Sequence, residues 1–187
     1  MKPAVTMLLA IIALLLPGGV AALQDERQQS RPQPSVTAML PTLFDLSEAP
    51  AGYTLEQLEF FEKYCFTEVN RYREAQNLAP LVYLPEVLPI ARCYSRRMAE
   101  EGFFSHTDPQ GATAKERLLQ IGIKYAILGE NLSRASGYLD PVPDVVKGWA
   151  ESPQHRVNIV NPQYKYAAAG AWIKDQTFFF TEIFLNR

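Results

Sequence analysis

The chain has two histidines, His106 in the stretch GFFSHTDPQG and His155 in GWAESPQHRVNIVNP. An imidazole can ligate a metal through a neutral ring nitrogen or move a proton near neutral pH. Two carboxylates sit in equally unusual company. Glu130 lies in GEN, between Ile127/Leu128 and Leu132, and Glu182 lies inside FFFTEIFL. A carboxylate in an apolar wall costs several kcal/mol unless it is paired or hydrogen-bonded. Each therefore requires a partner, either in a shared polar site or as a structural bond to a backbone N–H or an arginine such as Arg156. For Glu182 alone the structural bond is the favoured expectation.

Spacing by itself makes no metal motif of the two histidines. The chain has no HExxH, CxxC or GxSxG, the patterns that bring ligands or an activated serine together locally. Taken alone, His106 in SHTD is a turn residue and His155 after Ser-Pro is a helix N-terminal residue. Glu151 reads as a solvated helix residue. Nucleophiles fare worse. Ser152 has no elbow motif, and Cys65 falls on an apolar stripe where a thiolate is disfavoured.

Several elements must position these groups. Thr54 with Gln57 forms a capping box, and Leu58, Phe61, Cys65, Val69 and Tyr72 follow at helical spacing. This predicts a helix from Thr54 to about Asn77, then an extended APLVYLP. A second helix is expected from about Pro85 to Glu101, followed by the His106 loop. Thr113 and Glu116 cap a short helix over residues 113–123. AILGENLSR reads as extended, PVPDVVKGWAES as a helix, and PQHRVNIV as a short helix or turn. KYAAAGAWI and QTFFFTEIFL make a hairpin across a polar break. Helices first and strands last argue for an α+β fold.

Upstream, Lys2, the apolar residues 4–16 and the small residues Val20–Ala22 have the layout of a secretory signal peptide cleaved near Ala22. The apolar run is short against the about 20 residues a membrane-spanning helix needs. Residues 23–53 read as a flexible tether and strap, and 54–187 as the domain. A net charge of −2 and no basic cluster argue against nucleic acid as a partner. Export would place Cys65 and Cys93 in an oxidising compartment. One disulfide or two buried thiols remain equal readings, because a bridge needs Cα atoms within about 7 Å.

From Leu58 to Leu185 the chain resembles the CAP superfamily (cysteine-rich secretory proteins, antigen 5 and pathogenesis-related proteins), also called the SCP domain. It looks most like the compact bacterial members. The matching pieces stand in the family's order: VNRYREAQNLAPLVY, ARCYSRRMAEEGFFSHTDPQG, GENLSR, WAESPQHRVNIVNPQYKYAAAGAW and FFFTEIF. The resemblance implies a three-layer α–β–α sandwich with a central antiparallel sheet, and a cleft where two histidines and two acidic residues meet. By position these are His106, His155 and Glu130. Longer members carry the second acid where this chain has Ser152; Glu151 is one step off, and Glu182 would be the substitute. Two neutral imidazoles plus Glu130 would hold a divalent metal such as zinc, with water completing the shell.

The expected function is a secreted binding or interaction module for a lipid, peptide or protein ligand. One alternative is a metal-assisted hydrolase of the cell envelope with Glu130 as base. Another is a structural envelope protein.

Overall fold

The computed structural model describes residues 46–187. The expected signal peptide and the tether up to residue 45 lie outside the described residues. Among the described residues, no helix is long and apolar enough to cross a membrane.

Helix α1 spans Leu55–Ala75 and opens on the capping box. Thr54 Oγ1 accepts from Gln57 N at 3.2 Å, and Gln57 Oε1 accepts from Thr54 N at 2.8 Å. The short strand β1, Val82–Tyr83, precedes α2, Leu88–Glu101, which ends on left-handed Gly102. Helix α3, Ala114–Gln120, carries the second capping box, from Thr113 and Glu116. Strand β2 spans Ile127–Ser136, α4 spans Val142–Glu151 and α5 spans Pro153–Ile159. Strands β3, Tyr166–Lys174, and β4, Thr177–Asn186, form the hairpin.

The four strands are ordered β1-β3-β4-β2. Strand β4 pairs antiparallel with both β2 and β3, while β1 runs parallel to β3. The sheet is therefore mixed, a correction to the antiparallel expectation. The physical reason is that β1 is two residues caught between Pro80 and Pro85. So short a segment has no alternation to read, and strand direction is set by the returning chain rather than by local pattern.

Both faces of the sheet are covered, which completes the three-layer sandwich. Phe178, Phe180 and Phe184 of β4 and alanines of β3 pack with Leu58, Cys65 and Val69 of α1 and with Trp149 and Ile159 of α4 and α5. On the other face Ile183, Leu185 and Ala168 pack with Ile90, Ala91 and Leu118 of α2 and α3. Gly170 is where α2 comes nearest to the sheet. A Cβ there would collide with the Arg92 and Ala91 backbone. Ser95 Oγ uses that proximity to donate to Gly170 O at 3.0 Å.

The edge of β3 beyond β1 needs cover, since an open edge invites pairing with another chain. Here the buried pair Glu62–Arg92 supplies it. Glu62 Oε1 accepts from Ala171 N at 3.1 Å, and Arg92 donates to both Glu62 oxygens at 2.7 and 2.6 Å. Arg92 Nη1 also reaches Leu46 O at 3.1 Å. Residues 46–53 thus pack on the domain rather than trailing from it, and the Tyr53 ring meets the edge of Phe178 at 6.0 Å.

No disulfide joins the cysteines. Cys65 is buried under α1 and Cys93 sits on α2, so the sheet stands between them. Burial, then the nearby Glu182, pushes the Cys65 thiol well up.

Candidate functional site

His106 is held out on a loop made rigid from below. Gly102 turns the chain out of α2 with φ 73°, a region that costs glycine little. Tyr94 Oη then donates to Ser105 O at 2.6 Å. Asp108 ties the far side, accepting from Gln110 N at 3.0 Å, Ala112 N at 2.8 Å and Arg97 Nη1 at 2.6 Å. Burial raises the Asp108 pKa, but Arg97 and these N–H groups outweigh it and hold the carboxyl below its usual range.

The three residues of GEN have three separate jobs. Gly129 leaves room for Tyr164 and Asn158, which a Cβ would strike. Glu130 pairs with Ile183 across the sheet and so shares the face of α2 and α3. Its Oε1 lies 2.8 Å from His106 Nδ1, and its Oε2 takes Arg117 Nη2 of α3. Asn131 is one residue on and points to the opposite face. Its Nδ2 donates to His155 O at 3.1 Å, and its Oδ1 accepts from Asn158 Nδ2 at 2.9 Å.

Arg117 is buried, with its guanidinium 3.3 Å from the Tyr94 ring centroid and Nη1 donating to Ala112 O at 3.2 Å. The carboxylate of Glu130 therefore meets a cation on one oxygen and an imidazole on the other. A carboxylate only accepts, so His106 donates from Nδ1 and its neutral ring carries the lone pair on Nε2.

The outer edge of β2 suspends the α4–α5 corner. Trp149 Nε1 donates to Leu132 O at 2.8 Å and Asn158 Nδ2 to Glu130 O at 3.1 Å. His155 rides on that corner, with Nδ1 3.0 Å from Ser152 Oγ. Burial lowers the His155 pKa first, and the charge on His106 lowers it further. The imidazoles approach from different layers of the sandwich, His106 from the loop after α2 and His155 from α5.

The remaining expected residues are dispersed. Glu151 is exposed at the end of α4, where it borders a groove of about 420 Å³ between α1 and α4. Glu182 is fully buried beneath α1, and neither of its oxygens has a hydrogen-bond partner among the described residues. The structural bond expected for it is not formed there. Arg73 is the cation whose charge reaches it, yet Arg73 spends its N–H groups on Ile159 O at 2.6 Å, Asn161 O at 3.0 Å and Ala79 O at 3.0 Å. Burial pushes the Glu182 carboxyl well above its usual range.

Arg117, Asn131 and Asn158 went unnoticed in the sequence. The signal for Arg117 was an arginine on the inward face of a seven-residue helix that also carries buried Leu118.

Residues 66–184 match the profile of the CAP, cysteine-rich secretory protein family. The chain belongs to that family. It is 33% identical over 110 residues to the uncharacterized protein YkwD of Bacillus subtilis, covering 59% of this chain and 42% of that one. It is 29% identical over 126 residues to the uncharacterized membrane protein YlbC of the same organism, covering 67% of this chain and 34% of that one. The chain thus spans less than half the length of these curated relatives.

Among solved structures, an extracellular SCP-domain protein of Bacillus anthracis matches with TM-score 0.61 and 26% identity, over 73% of this chain and 45% of that one. An outer surface protein of Borrelia burgdorferi matches with TM-score 0.60 and 21% identity, over 67% of this chain and 91% of that one. This second likeness is one of fold. The CAP structure of NaASP2 with Zn2+ is more remote, at TM-score 0.44 and 15% identity, and its zinc is a property of that protein.

Among the described residues of this CAP chain, no group of three or more His, Cys, Asp or Glu side chains is arranged around a common metal position. Glu130 itself has one oxygen beside His106 Nδ1 and the other on Arg117.

Proposed function

We propose that this CAP domain is an extracellular binding or interaction module whose cleft is organised by His106, Glu130 and His155. The observation that carries this reading is the state of Glu130: both oxygens are already bound by the chain's own side chains. A general base must offer an oxygen to a water or substrate, and this carboxylate instead fixes a ring. Its role is to orient His106 so that Nε2 faces outward. In the tautomer whose Nδ1 donates to Ser152 Oγ, His155 presents Nε2 likewise. The other candidate nucleophile, Cys65, is buried and its thiol pushed up. Location outside the cell rests on the leader-like residues 1–22 and on the extracellular description of the Bacillus anthracis relative.

A divalent ion in this cleft would take the two Nε2 atoms as protein donors, with Glu130 as the group that orients one of them. The test is calorimetric titration of the full chain with Zn2+. His106→Ala and His155→Ala should each abolish binding. Glu130→Gln should weaken it by about 10- to 100-fold, the usual cost of losing an outer partner of a ligating histidine. Parent-like zinc binding in either histidine variant would show that the rings do not share a site. Zinc binding abolished by Glu130→Gln as completely as by the histidine variants would make Glu130 a ligand.

A further inference from the structure

The two edges of the sheet are closed to different extents. The outer edge of β3 is met by β1 and by Glu62, which accepts from Ala171 N. The other edge is β2. In an antiparallel pair, successive residues turn their N–H and C=O to opposite sides, so one alternate set bonds the neighbour. Gly137 N donates to Gln176 O across the β2–β4 ladder at 3.5 Å. The odd-numbered residues of β2 therefore face β4, and the even-numbered ones face outward. Two of the outward carbonyls are taken, Glu130 O by Asn158 and Leu132 O by Trp149. Beyond Leu132 that cover ends. Arg134 and Ser136 are exposed, and among the described residues their outward N–H and C=O groups bond nothing beyond the ladder.

Two successive outward residues thus offer donors and acceptors in the alternation of a strand edge. The partner that matches this pattern is another extended polypeptide, added as a further strand. The side chain beside the edge sets its charge. Arg134 shares a face with Glu130, about 13 Å farther along at the rise of a strand. Its guanidinium stands 5.6 Å from the Phe104 ring centroid and makes no ion pair among the described residues. Glu100 is taken by Lys174 and by Trp172 Nε1. Asp175 lines a groove of about 380 Å³ together with Arg134, Ser136 and Thr177, and it too forms no ion pair with Arg134.

A second copy of this chain fits the edge poorly. Antiparallel pairing of two such edges brings two Arg134 side chains onto neighbouring strands, where like charges are destabilising. A charge on an edge strand discourages self-pairing, and the same charge favours a strand of opposite sign. We infer that the edge of β2 at Arg134 and Ser136 binds an extended acidic peptide by strand addition, with a carboxylate side chain beside Arg134. This site needs neither imidazole and no metal.

The test follows the Arg134 and Ser136 amides of the full chain by NMR during titration with a blocked peptide, Thr-Val-Glu-Val-Thr. Few backbone bonds, all open to water, make a weak site, so saturation is expected with a dissociation constant on the order of 1 mM. Two N-methylated forms of the peptide test the mode of binding. Methylating one alternate set of amides should abolish binding and methylating the other should leave it, because a strand turns only every second N–H toward its neighbour. The same peptide with lysine for glutamate should bind more weakly. Arg134→Gln should weaken the glutamate peptide by about two- to fivefold and remove its advantage over the lysine peptide. Ser136→Pro deletes an outward N–H without taking a ladder bond, as edge prolines do. It should abolish binding and leave the His106 and His155 ring signals in place, which separates this site from the cleft. Should that variant fail to fold, the methylated peptides and Arg134→Gln still decide. Absence of binding, equal loss with both methylated forms, or equal affinity for the lysine peptide overturns the inference. Shifts of the two amides with chain concentration alone overturn it in favour of a second copy.

Discussion

Glu130 and Glu182 sit almost side by side on the sheet and live in opposite chemical worlds. Across the β2–β4 ladder Glu130 faces Ile183 and Asn131 faces Glu182. The two acids are therefore one register step apart, and a step of one changes the face. Glu130 turns toward α2 and α3, where Arg117 and His106 take one oxygen each. Glu182 turns toward α1, where Arg73 is already occupied with carbonyls and both oxygens go without partners among the described residues. One carboxylate joins a cation and an imidazole; the other is an acid enclosed in the core without partners among the described residues. Similar apolar sequence surroundings made them look alike, and the pleat of the strand separates them.

The largest test of this contrast removes the cation from Glu130. Side-chain exposures of 7% for Arg117 and 6% for Glu130 make this a buried pair. Arg117→Met should cost about 3–5 kcal/mol in urea denaturation, the usual consequence of leaving a buried charge without its partner. Adding Glu130→Gln should restore much of that loss, because no charge then remains uncompensated. A single variant as stable as the parent would place Glu130 in solvent reach and remove half of the comparison.

At Glu182 the expected sign reverses. Glu182→Leu removes two unsatisfied oxygens and keeps an apolar volume, so it should stabilise the domain by about 1–3 kcal/mol. The pH dependence sharpens the point. Burial raises the Glu182 pKa in the folded chain, so the folded state holds this proton more tightly than the unfolded one. Its stabilising contribution is full below the ordinary value of 4.5 and is lost as pH rises through the raised folded value. Within that window the parent should lose up to about 1.4 kcal/mol per pH unit relative to Glu182→Leu. Parallel stability curves for the two proteins would mean that Glu182 is ionised in the fold.

What could be read from the sequence was local. The capping boxes at Thr54/Gln57 and Thr113/Glu116 and the α1 stripe through Leu58, Cys65 and Val69 are interactions within four residues, and both boxes are present. The β3–β4 hairpin was visible because its strands and turn are contiguous. Strand β1 escaped because two residues between prolines carry no period. The need for partners at Glu130 was legible from its apolar flanks, and the family resemblance placed His106 beside it, but Arg117 was not foreseen. Arg117 is 13 residues away and reaches Glu130 only because α3 packs under the His106 loop. Glu182 was misjudged for the same reason: the pairing of a buried carboxyl depends on what the opposite layer brings, and here Arg73 is spent on the end of α5.

The smallest expected effect asks whether the two imidazoles share an environment. Burial is the larger cause of the lowered His155 pKa and the His106 charge the smaller. NMR titration of the His155 ring should therefore give a value below 6.5, and His106→Gln should move it upward only part of the way. The sign for stability follows. A depressed histidine contributes stability present above its unfolded pKa and lost as pH falls through the folded value. His155→Gln should accordingly flatten the acid side of the stability curve slightly, by less than burial alone suggests, because the ring is only part-buried and solvent screens it. A His155 titration untouched by His106→Gln would separate the rings electrically. The cleft would then be two independent histidines on either side of β2, with Glu130 serving only one of them.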